Sequence, residues 1–271
     1  MTRPDSAGPE LASPELAGPD LISLGATFAE AVLTPSFLLA ALAVAVAGVM
    51  RGYSGFGTAI LLAPVLSTLW GPRAGVPVLL LIELIVSAQL LPRSFREADR
   101  RIVLPVGLAA VLATPFGAGV LLHADALTLR RGIGALVLVF GLLLLSPWRY
   151  RGSRPLGLNL LVGAMGGLLK GATGMSGPPI ILYFLSGPEE VRRHRANLIL
   201  FFGLIAVVAV VPPLLAGLMD RTALFRTLVL LPVMVVCVRL GTRLFHVVPP
   251  GWYRRFAFAA LVVAGTIALV A

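Results

Sequence analysis

The chain carries one motif twice, as Arg51-Gly52-Tyr53-Ser54-Gly55-Phe56-Gly57 and as Lys170-Gly171-Ala172-Thr173-Gly174-Met175-Ser176-Gly177. Each version begins with a cation, continues with glycines and a hydroxyl residue, and interrupts a long apolar stretch. Lys170 is the only lysine of the chain. Because charge and irregular backbone are costly at membrane depth, the pair indicates a functional site. Helix breaks at corresponding positions of two halves are typical of transporter binding sites.

The rest of the chain is strongly apolar. Hydrophobic residues make up 58% of its 271 residues and charged residues 13%, whereas a soluble domain carries about 25% charged residues. Eight apolar segments, separated by short charged links, are long enough to span a bilayer. They cover residues 37–70, 74–92, 102–122, 130–147, 157–186, 196–219, 222–246 and 252–270. The pattern predicts an all-α integral membrane protein.

The first and fifth segments differ from the others because each contains one of the two motifs near its middle. As a single helix, residues 37–70 would be about 51 Å long at 1.5 Å per residue, but the hydrocarbon core is only about 30 Å thick. Each of these segments is therefore predicted to be either a broken helix or a hairpin of two half-helices.

The two motifs belong to a tandem repeat. A shift of 119 residues places the first motif on the second, and a shift of 124 residues places Gly117 on Gly241. We therefore expect two pseudo-equivalent repeats, over residues 36–148 and 149–271, each with one broken segment and three transmembrane helices. Residues 1–35 are acidic and contain a five-residue repeat over residues 7–21 with Pro9, Pro14 and Pro19, which predicts a disordered tail.

The arginines of the links decide between two topologies. If every segment crosses once, they divide ten against eight between the two sides. If each broken segment returns to its own side, they divide twelve against six. The positive-inside rule favours the second topology, which makes the two repeats inverted. It groups residues 93–101, 149–154, 192–195 and 254–255 on the cytoplasmic side, opposite residues 3, 73, 130–131 and 221–226. Two full crossings in each broken segment would give the same sides.

The two breaks are predicted to form one anion site. Half-helix N-termini present unpaired N–H groups and partial positive charge, to which the two cations and the hydroxyl groups add. The candidate substrate-binding residues are Arg51, Gly52, Ser54, Gly55, Gly57, Thr58, Lys170, Gly171, Thr173, Gly174, Ser176 and Gly177. Two alternatives stay open: the glycines allow close helix packing, or the cations reach the membrane interface from short half-helices.

Glu83 is the only acidic residue well inside an apolar segment. One interpretation is a proton carrier that couples substrate movement to a gradient. The other is a buried counter-ion of Arg51 or Arg239. A sodium site built from backbone carbonyl groups would leave no side-chain signal, so the coupling ion stays open.

Several function classes are excluded by the composition. The single cysteine, Cys237, allows no intrachain disulfide and no cysteine metal cluster. No H-E-x-x-H, P-loop or G-x-S-x-G motif is present, so we expect no enzyme, cofactor or metal. The net charge of +10 resides in the links, which is typical of topology signals rather than of nucleic-acid binding. The expected partners are a small anion and the lipid bilayer, and a homo-oligomer is left open.

Two stretches carry a resemblance to a known family: Gly55-Phe-Gly-Thr-Ala-Ile-Leu-Leu-Ala-Pro64-Val-Leu and Gly171-Ala-Thr-Gly-Met-Ser-Gly-Pro-Pro-Ile-Ile-Leu-Tyr183. They resemble the paired signatures of the TauE/SafE sulfite exporter family, over about residues 37 to 270. Where that family often has three glycines in a row, this chain has Gly55-Phe56-Gly57. The resemblance implies a secondary transporter of the bacterial cytoplasmic membrane that moves sulfite, sulfonates or related organic anions. The two repeats would rock around the site to give alternating access. An anion channel and a non-transporting membrane scaffold are the alternatives.

Overall fold

The computed structural model describes residues 34–145, 152–186, 189–245 and 247. The predicted tail up to residue 33 and the eighth apolar segment, 252–270, lie outside these residues. The described part forms nine helices and no strand. The helices are α1 (Pro35–Ser54), α2 (Thr58–Trp70), α3 (Pro72–Glu97), α4 (Arg100–His123), α5 (Ala126–Leu145), α6 (Leu156–Thr173), α7 (Gly177–Leu185), α8 (Val191–Leu215) and α9 (Arg221–Leu244).

The chain divides into two compact units, Met1–Leu38 and Leu39–Ala271. In the first unit, the described residues include the first turn of α1, where Thr34 Oγ1 accepts a hydrogen bond from Phe37 N at 3.3 Å. All other contacts considered below belong to the second unit.

The prediction of an all-α membrane protein is confirmed. Six described helices, α1, α3, α4, α6, α8 and α9, are long and apolar enough to cross a membrane. Acidic residues in the links define two of the helix starts. Asp99 accepts a hydrogen bond from Arg101 N at 3.0 Å before α4, and Asp220 accepts one from Ala223 N at 2.7 Å before α9. Such caps satisfy N–H groups that have no partner within the helix.

Both broken segments are interrupted at the glycine motifs, as predicted. Residues 55–57 separate α1 from α2, and residues 174–176 separate α6 from α7. Gly55 and Gly174 have φ angles of 82° and 77°, in the left-handed region that favours glycine. Each motif lies near the middle of its apolar segment, but the helices on its two sides differ in length. α1 and α6 have 20 and 18 residues, whereas α2 and α7 have 13 and 9.

The second broken segment is a hairpin. The hydroxyl group of Tyr183 in α7 donates to Asn159 Oδ1 in the first turn of α6. Arg154, which lies just before α6, donates through Nη2 to the carbonyl oxygen of Tyr183 at 2.9 Å. The end of α7 therefore lies beside the start of α6, so the chain enters through α6 and turns back through α7.

Contacts between the links discriminate between the two topologies. Arg192, before α8, forms an ion pair with Glu97, at the end of α3, with Nη2 and Oε1 2.7 Å apart. At another link, the guanidinium carbon of Arg226 lies 4.3 Å from the ring centroid of Trp70. Single crossings would place the members of each pair on opposite sides, so that topology is wrong for the described links. The inverted relation of the two repeats, and their boundary at residue 148, stay predictions.

Helices of the two predicted repeats pack on each other reciprocally. α3 contacts α8 at the centre, α4 contacts α6 and α8, and α9 contacts α3. Glycines bring the broken segments close to this framework. A Cβ atom on Gly52 of α1 would overlap the carbonyl oxygen of Val238 in α9, and one on Gly171 of α6 would overlap that of Thr114 in α4. Each broken segment is thus packed against a helix of the other repeat.

We expect Gly117→Ala in α4 to lower the free energy of unfolding by about 1–3 kcal/mol, the usual cost of overpacking. Its Cβ would overlap the carbonyl oxygen of Leu168 in α6. Gly119→Ala, in the same helix, is the matched control because no atom lies within 4 Å of its Cβ. Thermal unfolding in detergent measures both variants. Equal melting temperatures would show that the seam between α4 and α6 tolerates a larger separation.

Candidate anion-binding site

Three charged side chains are buried together beside the breaks. Arg51 in α1 and Lys170 in α6 are each 1% exposed, and Glu83 in α3 is 3% exposed. Lys170 forms an ion pair with Glu83 and donates through Nζ to the carbonyl oxygen of Gly174 at 2.9 Å. Arg51 interacts electrostatically with both partners. With two cations and one carboxylate, the cluster carries a formal charge of +1.

Glu83 is a counter-ion, but the cation that it pairs with is Lys170. The interpretation that paired Glu83 with Arg239 is wrong, because Arg239 is exposed on α9. Removing one partner of a buried pair leaves an uncompensated charge, which is strongly destabilising. The ion pair therefore ties α3 of the first predicted repeat to α6 of the second.

The guanidinium group of Arg51 has unused donor capacity. Nη2 donates to Ser87 Oγ in α3 at 3.1 Å. On one face, the guanidinium carbon lies 4.8 Å from the ring centroid of Phe202 in α8. Nε is buried and has no hydrogen-bond partner among the described residues. Arg51 can therefore donate to a ligand without giving up a contact.

Two buried hydroxyl groups also have unused hydrogen-bond donor capacity. Thr58, at the start of α2, is 0% exposed, and Ser176, just before α7, is 1% exposed. Neither hydroxyl oxygen has a hydrogen-bond partner in the described part of the chain. Because an unsatisfied buried polar group costs about 1–3 kcal/mol, two such groups near an unpaired guanidinium N–H indicate a ligand site.

The two short helices begin at one small cavity. Neither Gly57, before α2, nor Ser176, before α7, provides a side-chain cap to the helix that follows. The first N–H groups and the positive ends of both helix dipoles are thus directed to this place, which suits an anion. The cavity volume is about 10 Å³, room for roughly one water molecule. Its lining consists of Arg51, Gly57, Ala59, Ile60, Glu83, Met175, Ser176, Gly177, Ile181 and Phe202.

The structure divides the predicted site residues into two groups. The residues of the first group line the cavity or adjoin it, and Lys170 adjoins it through its ion pair with Glu83. They are Arg51, Gly57, Thr58, Ser176, Gly177 and Lys170. The second group shapes the breaks and the helix seams instead: Gly52, Ser54, Gly55, Gly171, Thr173 and Gly174. For Gly52 and Gly171, the contacts agree with the alternative interpretation, close helix packing.

Ser54 and Thr173 make the same local hydrogen bonds. Ser54 Oγ accepts from the backbone N–H two residues later at 3.1 Å and donates to the carbonyl oxygen four residues earlier at 2.7 Å. The corresponding distances for Thr173 Oγ1 are 3.3 Å and 2.8 Å. Both hydroxyl groups are thus engaged in stabilising the turn at the end of a helix, which leaves Thr58 and Ser176 for a ligand.

Sequence reasoning missed Ser87 and Phe202, which contact Arg51. Ser87 follows Glu83 by four residues in α3, so both lie on one face of that helix. This spacing could have pointed to Ser87. Phe202 lies in the uniformly apolar part of α8, residues 198–215, where no local signal separates it from its neighbours.

The family model described as "Sulfite exporter TauE/SafE" matches residues 40–268. The chain belongs to the TauE/SafE family. It is also 32% identical over 220 residues to the probable sulfite/organosulfonate exporter TauE of Cupriavidus necator. The aligned residues make up 78% of this chain and 85% of that protein. No solved structure matches the chain significantly.

Membership of the TauE/SafE family confirms the broader functional predictions. The family is one of exporters rather than enzymes. Together with the six candidate membrane spans, it identifies a multi-pass transporter of the bacterial cytoplasmic membrane.

Proposed function

We propose that this protein is a secondary transporter for sulfite, organosulfonates or similar small sulfur-containing anions. The anion binds in the cavity between the N-termini of α2 and α7. One observation carries the proposal: Arg51 and Ser176 line the cavity, and Arg51 Nε and Ser176 Oγ are buried without a partner among the described residues. The hydroxyl group of Thr58, buried and unpartnered in the same way, belongs to the residue between Gly57 and Ala59, which both line the cavity. The substrate class is taken from the relative in Cupriavidus necator, whose name is that of a probable sulfite/organosulfonate exporter.

The chemistry of these anions fits the donors around the cavity. Sulfite and sulfonate groups each present three oxygen atoms that accept hydrogen bonds. Arg51 supplies one charge-assisted donor, and Thr58 and Ser176 each supply a hydroxyl group. Backbone N–H groups of the first turns of α2 and α7 add further donors. The formal charge of +1 on the cluster also attracts an anion rather than a cation or a neutral molecule.

The size of the cavity supports a carrier that works by alternating access. With room for roughly one water molecule, the cavity is smaller than a sulfonate group, so the lining moves when the ligand binds. The short helices α2 and α7 begin at glycine breaks that permit such movement. Rocking of the two repeats around the site would then expose it to each side of the membrane in turn.

Uptake of labelled sulfite and methanesulfonate into proteoliposomes tests the proposal. We expect saturable uptake and exchange of internal for external anion. Flux that rises linearly with concentration would indicate a channel instead. Lack of flux for both anions would overturn the proposal and favour the membrane scaffold.

We expect Thr58→Val and Ser176→Ala each to raise the half-saturation concentration about tenfold, since one hydrogen bond to the anion is lost. Both variants should also unfold at a higher temperature when empty, because an unsatisfied buried hydroxyl group is removed. Ser67→Ala is the matched control, since its buried hydroxyl group also has no partner among the described residues, but Ser67 neither lines the cavity nor adjoins a residue that does. It should stabilise the protein and leave half-saturation unchanged. A similar loss of affinity in Ser67→Ala would argue against the assigned site.

A further inference from the structure

Glu83 shares the cavity with the groups proposed to bind the anion. It lines the same cavity as Arg51 and Ser176, and its side chain is buried. An anion that enters therefore comes next to the carboxylate of Glu83. Two negative charges in one small buried space repel each other.

The charged groups that face Glu83 come from two helices. Lys170 of α6 is its ion-pair partner, and Arg51 of α1 interacts with it electrostatically. The other helices around the cavity, α2, α7 and α8, contribute uncharged groups, among them Ala59, Ile181 and Phe202. The charge of Glu83 therefore determines whether Lys170 is neutralised within the cluster or is available to an anion.

We infer that the protein carries one proton together with each monovalent anion, and that Glu83 is the group that holds this proton. The inference rests on the proposed function. When the anion binds, Glu83 takes up a proton from the same side of the membrane and its ion pair with Lys170 opens. The neutral carboxyl group then becomes a hydrogen-bond donor, and the ammonium group of Lys170 can turn to the anion. When the anion leaves on the other side, Glu83 releases the proton there and pairs with Lys170 again.

The charge balance of the cluster supports this coupling. In the empty site, Arg51 and Lys170 are positive and Glu83 is negative, which gives +1. In the loaded site, the anion takes the place of the negative charge of protonated Glu83, so the cluster again carries +1. Because a buried charge is costly to move through a membrane, a constant charge allows the empty and the loaded protein to change orientation at similar cost. Thermodynamic linkage also requires that bound protons strengthen anion binding by the same factor that bound anion strengthens proton binding.

Proton movement can be measured directly in proteoliposomes that contain a pH-sensitive dye. The driving force is an inward gradient of labelled methanesulfonate at equal internal and external pH. This anion stays ionised, so it carries no proton of its own. Potassium and valinomycin set the membrane potential. We expect the lumen to acidify with about one proton per anion, and the initial rate to be independent of the potential because the net transported charge is zero.

Two other results would each be decisive. Uptake without acidification, or uptake that follows the potential, would overturn proton coupling while leaving the proposed transporter intact. No uptake by the unmodified protein would overturn the proposed function, and the coupling with it.

Variants of Glu83 identify the group that holds the proton. In Glu83→Gln, the ratio of protons to anions should fall about tenfold or more, because the amide cannot exchange a proton. Its half-saturation concentration should no longer change with pH, whereas that of the unmodified protein should rise with pH. Glu83→Asp should restore coupling, and Arg239→Ala, at an exposed position, should keep the normal ratio. A normal ratio in Glu83→Gln would exclude Glu83 as the carrier. If Glu83→Gln does not transport, the ratio and the potential dependence of the unmodified protein still decide on coupling.

Discussion

Arg51→Met is expected to reduce anion uptake about 100-fold or more, because a charge-assisted hydrogen bond to the ligand is worth about 1.5–3 kcal/mol. The substitution also removes the charge that makes the cluster attractive to an anion. What remains is the ion pair of Lys170 with Glu83, which has no net charge. Lys170 would then be the one remaining cation for a bound anion, and it is available only when Glu83 is protonated, so burial of the anion becomes more costly.

Arg51→Lys tests whether the positive charge alone, without the planar guanidinium group, supports uptake. The ammonium group keeps the positive charge but has neither an Nε donor nor a flat surface to place against Phe202. We expect uptake between those of the unmodified protein and Arg51→Met, because a lysine does not replace a stacked arginine. Arg239→Met, at an exposed position of α9, is the control for loss of an arginine as such.

Two measurements test the role of Arg51. Uptake into proteoliposomes gives the transport rate, and the rise in melting temperature with added methanesulfonate reports binding without transport. The unmodified protein should be stabilised by the anion, and Arg51→Met should not. Normal uptake by a folded Arg51→Met would place the anion site elsewhere.

Lys170→Met is expected to lower the free energy of unfolding by about 3–5 kcal/mol, the usual cost of removing one partner of a buried pair. Glu83 would remain in the protein interior, with Arg51 as its nearest cation and without the ion pair that it has now. Adding Glu83→Gln to Lys170→Met removes the second charge and should restore most of the stability. The double variant should still fail to couple proton movement to uptake.

A double-mutant cycle with Lys170→Met and Glu83→Gln measures this interaction. Unfolding by titration with a denaturing detergent gives the stability of the four proteins. We expect the double variant to be more stable than Lys170→Met alone. Strictly additive effects would show that the two side chains do not interact in the folded protein.

The helices and both breaks could be predicted from the sequence because their signals are local. Apolar segments of spanning length and glycine-rich interruptions need no knowledge of distant residues. The partner of Glu83 could not be predicted in this way. Lys170 lies in the second broken segment, in the other predicted repeat, and its approach to α3 depends on the order of helices around the bundle. Local patterns contain no information on that order.

Part of the candidate site could also be predicted, since Arg51, Thr58 and Ser176 were identified from residue type and position. Their role in binding an anion stays a prediction. The sequence did not separate them from Ser54 and Thr173, which have the same chemistry. That difference depends on which hydroxyl groups hydrogen-bond to their own helix end. Such a choice follows from the geometry of the turn rather than from composition.

The packing of α1 on α9 has a consequence for how the protein is made. Gly52 contacts a helix that ends at Leu244, so the first broken segment meets its partner only late in synthesis. At about 5–20 residues per second, the ribosome needs roughly 10 to 40 s to pass from residue 54 to residue 244. During most of that interval the guanidinium group of Arg51 lacks the ring of Phe202, against which it lies in the folded protein. The first half of the protein can therefore complete its packing only after α9, in the second half, has been translated.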